Sequence, residues 1–237
     1  MVFRVSNFGS VLASACLVLA CGEATPAPKT ADDAPDTHED RGSGVAVSSE
    51  IGGLDEEKVN TAFESSLGGL QRCLQQGASR VELIGGSVSF FLKIDSSGRV
   101  DGSYLEKSTL GDRDTEKCML DALRAKKWPK PVGGVHGLAR KSFDFDAPND
   151  VRPPADYDRD HLGKGLSKIS DKLAACKETQ GSYEATIYVA TDGSVLAAGV
   201  TPPDEQGEGA VDCLVSTLKA ATFPSPGSWP AKITFSL

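Results

Sequence analysis

Two stretches of this chain share one spacing of cysteine, glycine and aromatic residues. Beyond residue 50 the chain has four cysteines, and Gly98 precedes the second by the same distance as Gly193 precedes the fourth. An aromatic-Pro-x-Pro motif follows each of these cysteines at one shared offset, as residues 128–131 and 223–226. Internal similarity of this kind predicts two copies of one folding unit.

Each copy shows the hydrophobic pattern of a small α+β unit. In the second copy, apolar residues at steps of three and four mark one face of a helix: Leu162, Leu166, Ile169, Leu173 and Cys176. An alternating run from residue 183 to 189 then predicts a half-buried strand, and Gly98 and Gly193 lie in hairpin turns. The proline motif ends a second helix. We therefore expect two tandem α-β-β-α-β modules, each a three-stranded antiparallel sheet with two helices on one face.

The four cysteines are expected to form one disulfide in each copy. One cysteine of each copy lies on the first predicted helix and one on the second, so they meet if both helices cover the same face of the sheet. The predicted pairs are Cys73–Cys118 and Cys176–Cys213. A redox-active thiol pair is the alternative, but no C-x-x-C motif occurs, which favours a structural role.

Composition and motifs exclude several function classes. The net charge is −8 and no long basic run occurs, which argues against a nucleic-acid partner. No G-x-S-x-G motif occurs, and the three histidines leave few possible catalytic triads. A zinc site would require four clustered ligands, and only His136 and His161 lie beyond the N-terminal region. We expect no catalytic residue, metal, cofactor or small-molecule substrate.

The N-terminus has the pattern of an export signal. Arg4 precedes an apolar stretch over residues 11–20, which is too short for a membrane-spanning helix. Residues 17–21 resemble a lipobox, which predicts lipidation of Cys21; an ordinary cleaved signal with an incidental cysteine is the alternative. Gly22 follows, and by resemblance to enterobacterial lipoproteins this residue indicates an outer-membrane lipoprotein that faces the periplasm.

The segment after Cys21 is rich in proline and acidic residues and has almost no large apolar side chains. Such a segment cannot bury enough surface to offset its ordering entropy, so we expect a disordered tether. The predicted organisation is a signal peptide (1–20), a tether (21–51), a first module (52–147), a linker (148–157) and a second module (158–237).

The first copy resembles the TonB C-terminal superfamily, and more closely the AgmX/PglI C-terminal-like domains of myxobacterial envelope proteins. The resemblance rests on Cys73, the run from Gly85 to Val100, residues 108–112, Cys118 and the run from Trp128 to Gly134. The second copy keeps the cysteines, the turn glycine and the proline motif, but it lacks the Gly-Gly pair after the prolines. The resemblance implies an accessory envelope domain without catalytic residues that binds proteins, in TonB by pairing with a receptor segment beside the sheet.

These observations predict a lipoprotein that binds or scaffolds envelope proteins. A passive structural or peptidoglycan-associated lipoprotein is the alternative, and a thiol oxidoreductase is a further one. Binding is expected at exposed sheet edges over residues 140–146 and 232–237, where unpaired backbone groups accept an added strand and lysines guard against unwanted pairing. The candidate edge residues are Lys141, Ser142, Phe143, Lys232, Ile233 and Thr234.

Anchoring is the first testable consequence. Cys21→Ala removes the only thiol of the lipobox-like motif, so the variant is expected to be released from membranes or left unprocessed. Membrane fractionation and mass spectrometry of the mature N-terminus measure both outcomes. Unchanged membrane association, together with an unmodified Cys21 in the wild-type protein, contradicts lipidation.

Overall fold

The computed structural model describes residues 49–148, 150–177 and 180–237. The predicted signal peptide, the lipidation site Cys21 and the predicted tether up to residue 48 lie outside these ranges. None of the helices within the ranges has the length and hydrophobicity of a membrane span. We call residues 49–148 the N-terminal half and residues 150–237 the C-terminal half.

The N-terminal half contains a four-stranded sheet and three helices. Its elements are β1 (Ser49–Ile51), α1 (Glu56–Glu64), α2 (Leu67–Ala78), β2 (Gly86–Asp95), β3 (Val100–Ser108), α3 (Arg113–Arg124) and β4 (Gly134–Phe145). The strand order is β1-β4-β2-β3, in which β1 runs parallel to β4 and the other pairs are antiparallel.

The C-terminal half has the same order of elements. They are β5 (Ala155–Asp156), α4 (Arg159–Leu166), α5 (Ser170–Cys176), β6 (Glu184–Val189), β7 (Val195–Thr201), α6 (Glu208–Lys219) and β8 (Ala231–Ser236). The strand order is β5-β8-β6-β7, and β5 is the parallel strand.

The fold is α+β as predicted, but each sheet has four strands where three were expected. The additional strands are β1, at the end of the predicted tether, and β5, within the predicted linker. Both are held by backbone bonds, such as Gly52 N–H to His136 O (2.6 Å) and Ala155 N–H to Pro230 O (3.0 Å). Strands of two or three residues are too short to show an alternating pattern, which is why the sequence does not reveal them.

The first helix of each copy is also divided, into α1 and α2 and into α4 and α5. In the N-terminal half the division falls at Ser65 and Ser66, whose hydroxyls both donate to the Ala62 carbonyl at 2.8 Å. These bonds compete with the helical backbone pattern. Gly68 and Gly69, although poor helix formers, lie inside α2.

One backbone contact explains the shared spacing of glycine and aromatic residues. The carbonyls of Gly98 and Gly193 accept from the N–H groups of Trp128 and Phe223, each at 2.9 Å. Both glycines have positive φ, +80° and +85°, and a Cβ at either would collide with the aromatic residue's carbonyl oxygen. The hairpin turn therefore requires glycine at this position in both halves.

The two predicted disulfides are present. Cys73–Cys118 joins α2 to α3 and Cys176–Cys213 joins α5 to α6, with Cα atoms 5.7 and 5.6 Å apart. Cys73 and Cys176 are buried as expected, whereas Cys213 is exposed on the solvent side of α6 rather than in the core.

The helices cover one face of each sheet, and the two halves pack on each other. Each half has its own apolar core between sheet and helices, but Tyr188 and Ala197 of the C-terminal half belong to the core cluster of the N-terminal half. They lie on the face of the second sheet that is turned away from its own helices. The end of β3 and the start of α3 cover this face, with Gly111 against Thr186 and Tyr188.

Stability should depend on both disulfides. They close segments with sequence separations of 45 and 37 residues. Replacing Cys73 and Cys118 together by serine is expected to lower the free energy of unfolding by about 3 to 4 kcal/mol, because the unfolded chain gains entropy. Urea denaturation measures this change, with the Cys176→Ser/Cys213→Ser variant as the matched comparison. Non-reducing peptide mapping that finds pairs between the halves contradicts the assignment.

Candidate functional site

The outer edge of β8 is open beyond the short strand β5. The Lys232 carbonyl accepts from Tyr157 N–H (3.2 Å) on the side away from β6. Alternate residues of an antiparallel strand direct their backbone groups to the same side, so Thr234 and Ser236 also direct theirs outward. Within the described ranges, no backbone hydrogen bond reaches these outward groups. The edge can therefore accept an added strand.

The corresponding edge of β4 is open beyond β1 but carries charge. The His136 carbonyl accepts from Gly52 on the outer side, so Arg140, Ser142 and Asp144 have outward backbone groups. Arg140 lies over the Phe91 ring and donates to Glu106 at 2.7 Å. Exposed charged side chains on an edge oppose pairing with another strand.

The predicted edge residues of β4 have largely structural contacts. Lys141 donates from Nζ to Asn60 Oδ1 on α1 at 3.0 Å, and the Ser142 hydroxyl bonds to that of Ser89 at 2.8 Å. The Phe143 ring packs against Phe63, with centroids 6.1 Å apart. Lys141 and Phe143 close the space between the β4 edge and α1.

Lys232 does not guard the β8 edge, in contrast to the expectation from sequence. Its ammonium group donates to Gly85 O of the N-terminal half at 2.7 Å and lies over the Tyr188 ring. The other two predicted residues belong to the second sheet. Ile233 is buried in its core, and the Thr234 hydroxyl bonds to that of Thr186 at 2.8 Å.

An apolar groove of about 450 Å³ lies beside the β8 edge. Its apolar lining comes from α4, α5 and the end of β8: Gly163, Leu166, Leu173, Ala174 and Leu237. A Cβ added at Gly163 would meet no atom within 4 Å, so the glycine leaves the groove open. An extended chain on the β8 edge could place a side chain here.

The same place in the N-terminal half is filled. Gly163 precedes Cys176 by the same number of residues as Asn60 precedes Cys73, and Leu166 corresponds in this way to Phe63. Asn60 is bonded to Lys141, and Phe63 lies within an aromatic cluster with Phe143. The groove is therefore a feature that distinguishes the C-terminal half from the N-terminal half.

The ends of the β8 edge are predominantly basic. Lys177 lines the apolar groove, and Arg159 lines a second groove of about 420 Å³ at Thr234. Asp156 is the acidic residue of that lining. In a chain with a net charge of −8, this local positive charge favours an acidic ligand.

The groove residues were missed by sequence reasoning. The helical pattern that contains Leu166 and Leu173 predicts only a core-facing stripe. A sequence signal for the groove is that Gly163 stands where the first copy has Asn60. His136, one of the two histidines weighed as a zinc ligand, lies in β4 and contacts Asp101 at 3.1 Å. The described part of the chain contains no cluster of three or more possible metal ligands.

Comparisons with known proteins do not assign the chain to a family. No protein-family model, curated protein or solved structure matches it significantly.

Proposed function

We propose that this chain is an exported envelope lipoprotein that binds another protein by adding an extended segment to the outer edge of β8. The observation that carries the proposal is the open edge at Thr234 and Ser236 beside an apolar groove. Main-chain bonds would supply affinity and the groove would select one side chain of the added strand.

The proposal includes two related modules of the TonB C-terminal type. Support comes from the repeated order of elements, the corresponding disulfides, and the turn bonds of Gly98 and Gly193 to an aromatic residue. Two disulfides also favour an oxidising compartment, as expected for an exported protein. Each sheet also has a short parallel first strand, β1 or β5, that the expected three-stranded module does not include.

The β8 edge is favoured over the β4 edge on physical grounds. Both edges offer unpaired backbone groups, but β4 carries Arg140 and Asp144 at outward positions, and its adjoining space is filled by Phe143. Thr234 and Ser236 are uncharged, and their groove is open. Strand addition at β8 therefore displaces no ion pair and buries apolar surface.

The partner segment should be extended, with an apolar side chain and acidic flanks. The apolar groove fits an aliphatic or aromatic side chain, since Leu166, Leu173 and Leu237 line it. Lys177 and Arg159 lie at opposite ends of the edge, and a carboxylate beside either gains favourable electrostatics.

Proline substitution tests the choice of edge. Thr234→Pro removes one outward N–H from β8 and leaves the inner ladder to β6 intact, because proline is tolerated on edge strands. We expect partner affinity to fall about tenfold or more. The matched variant Ser142→Pro alters the β4 edge in the same way and is expected to bind normally.

Photo-crosslinking from Ser236 in native envelopes identifies the partner, and titration with the purified partner measures affinity for each variant. Circular dichroism and intact disulfides establish that both variants fold. Equal binding by wild type and a folded Thr234→Pro variant rules out strand addition at β8. If Ser142→Pro loses binding and Thr234→Pro does not, the binding site lies on the β4 edge.

Filling the groove should weaken binding without loss of stability. Gly163→Leu places a side chain in open space within α4, so we expect the free energy of unfolding to be maintained or raised and partner affinity to fall about tenfold. Gly163→Ala is the control, since it improves helix propensity and leaves most of the groove open. If the leucine and alanine variants bind equally well, the groove takes no part in recognition.

A further inference from the structure

A buried carboxyl group lies where the two halves meet. Glu116 on α3 is 0% exposed, and its Oε1 accepts from the Ser108 hydroxyl at 2.6 Å. Its Oε2 has no hydrogen-bond partner among the described residues. Opposite, a Cβ at Gly199 of β7 would lie 2.5 Å from Oε1, so the carboxyl packs on the glycine backbone of the other half.

A buried ammonium group lies in the same contact. Lys232 of β8 crosses to the N-terminal half and donates to Gly85 O at 2.7 Å, while the Tyr188 hydroxyl donates to the same oxygen at 3.4 Å. The charge of Glu116 also favours the protonated form of Lys232. One acid and one base are thus enclosed by the packing of one half on the other.

We infer that Glu116 and Lys232 make the contact between the two halves proton-sensitive, so that the halves separate most readily when Glu116 is ionised and Lys232 is protonated. Separation would expose both groups to water. It would also uncover the small-residue face of the second sheet, including Ala197 and Gly199. The inference does not depend on which protein, if any, the β8 edge binds.

The electrostatic environment sets the direction of the effect. Burial raises the pKa of Glu116 to about 7, although the Ser108 hydroxyl and the Arg113 charge oppose this; Asp112 adds to the increase. Burial lowers the pKa of Lys232 to about 8, against the attraction of Glu116. Burial also raises the pKa of Tyr188 on β6, so its hydroxyl stays neutral in this range.

The surrounding charges on other elements are paired across the contact. Arg113 donates to Asp212 and Glu208 of α6, each at 2.8 Å, and Lys117 also approaches Asp212. Asp144 and Asp146 share a cavity with Lys232 at the junction of the halves. The ion pairs of Arg113 and Lys117 with α6 thus join the halves at a place separate from Glu116 and Lys232.

The pH dependence follows from the two shifts. In the joined state Glu116 keeps its proton up to about pH 7, whereas in the separated state its pKa returns to 4.5. Separation therefore becomes easier as the pH rises from 4.5 to about 7. For Lys232 the joined state disfavours the proton, so separation becomes harder as the pH rises from about 8 to 10.5. The contact is therefore weakest between about pH 7 and 8.

Thiol trapping in the full chain tests this inference. Ala197→Cys places a thiol in the contact, and Ala185→Cys places one inside the core of the C-terminal half; both positions are at most 1% exposed. Reaction with 4,4′-dithiodipyridine is followed by peptide mass spectrometry and normalised to the denatured protein at each pH. We expect the normalised rate at position 197 to rise on the order of 100-fold from pH 5 to 7.5 and to fall above pH 8.

The controls separate opening from unfolding. With Glu116→Gln the rise below pH 7.5 should disappear, and with Lys232→Met the fall above pH 8 should disappear, while position 185 stays unreactive throughout. A rise that persists in the glutamine variant overturns the inference, as does equal labelling at positions 185 and 197. If the glutamine variant does not fold, the carboxyl ¹³C resonance of Glu116 in the otherwise unchanged chain decides, and titration near pH 4.5 overturns the inference.

Discussion

The packing of the N-terminal half on the open face of the second sheet is the contact on which the rest of the structure depends. Small residues on that face, Ala197 and Gly199 among them, let α3 approach the backbone of β7 closely. A sheet that has helices on one side needs cover on the other when that side is not polar. The first half supplies the cover, and the two halves therefore form one compact unit.

This packing determines which surfaces remain available to a partner. It occupies the outer face of the second sheet and draws Lys232 away from the β8 edge, while the helices occupy the inner face. The edge at Thr234 and Ser236 and its apolar groove stay uncovered by either contact. In the N-terminal half, the equivalent place is closed by Lys141 and Phe143, so two halves with one order of elements differ in shape at this edge.

The same packing buries the acid Glu116 and the base Lys232, and burial disfavours the charged form of each. A buried carboxyl with an unpartnered oxygen is unfavourable when ionised, because its surroundings replace only part of its lost hydration. Glu116 is therefore better suited to specifying and regulating the contact than to strengthening it. An apolar residue at that position would fill the same space without sensitivity to pH.

The sequence patterns alone predicted the α+β class, the two hairpins, the helices except for their division, and the cysteine pairs. Each of these follows from local periodicity or from turn chemistry, as at Gly98 and Gly193. Only the tertiary structure revealed β1 and β5, which are too short to carry a pattern, and the roles of Lys232, Gly163 and Glu116. A sequence shows that a residue is small, basic or acidic, but whether it borders a groove or another half depends on contacts between residues far apart in the chain.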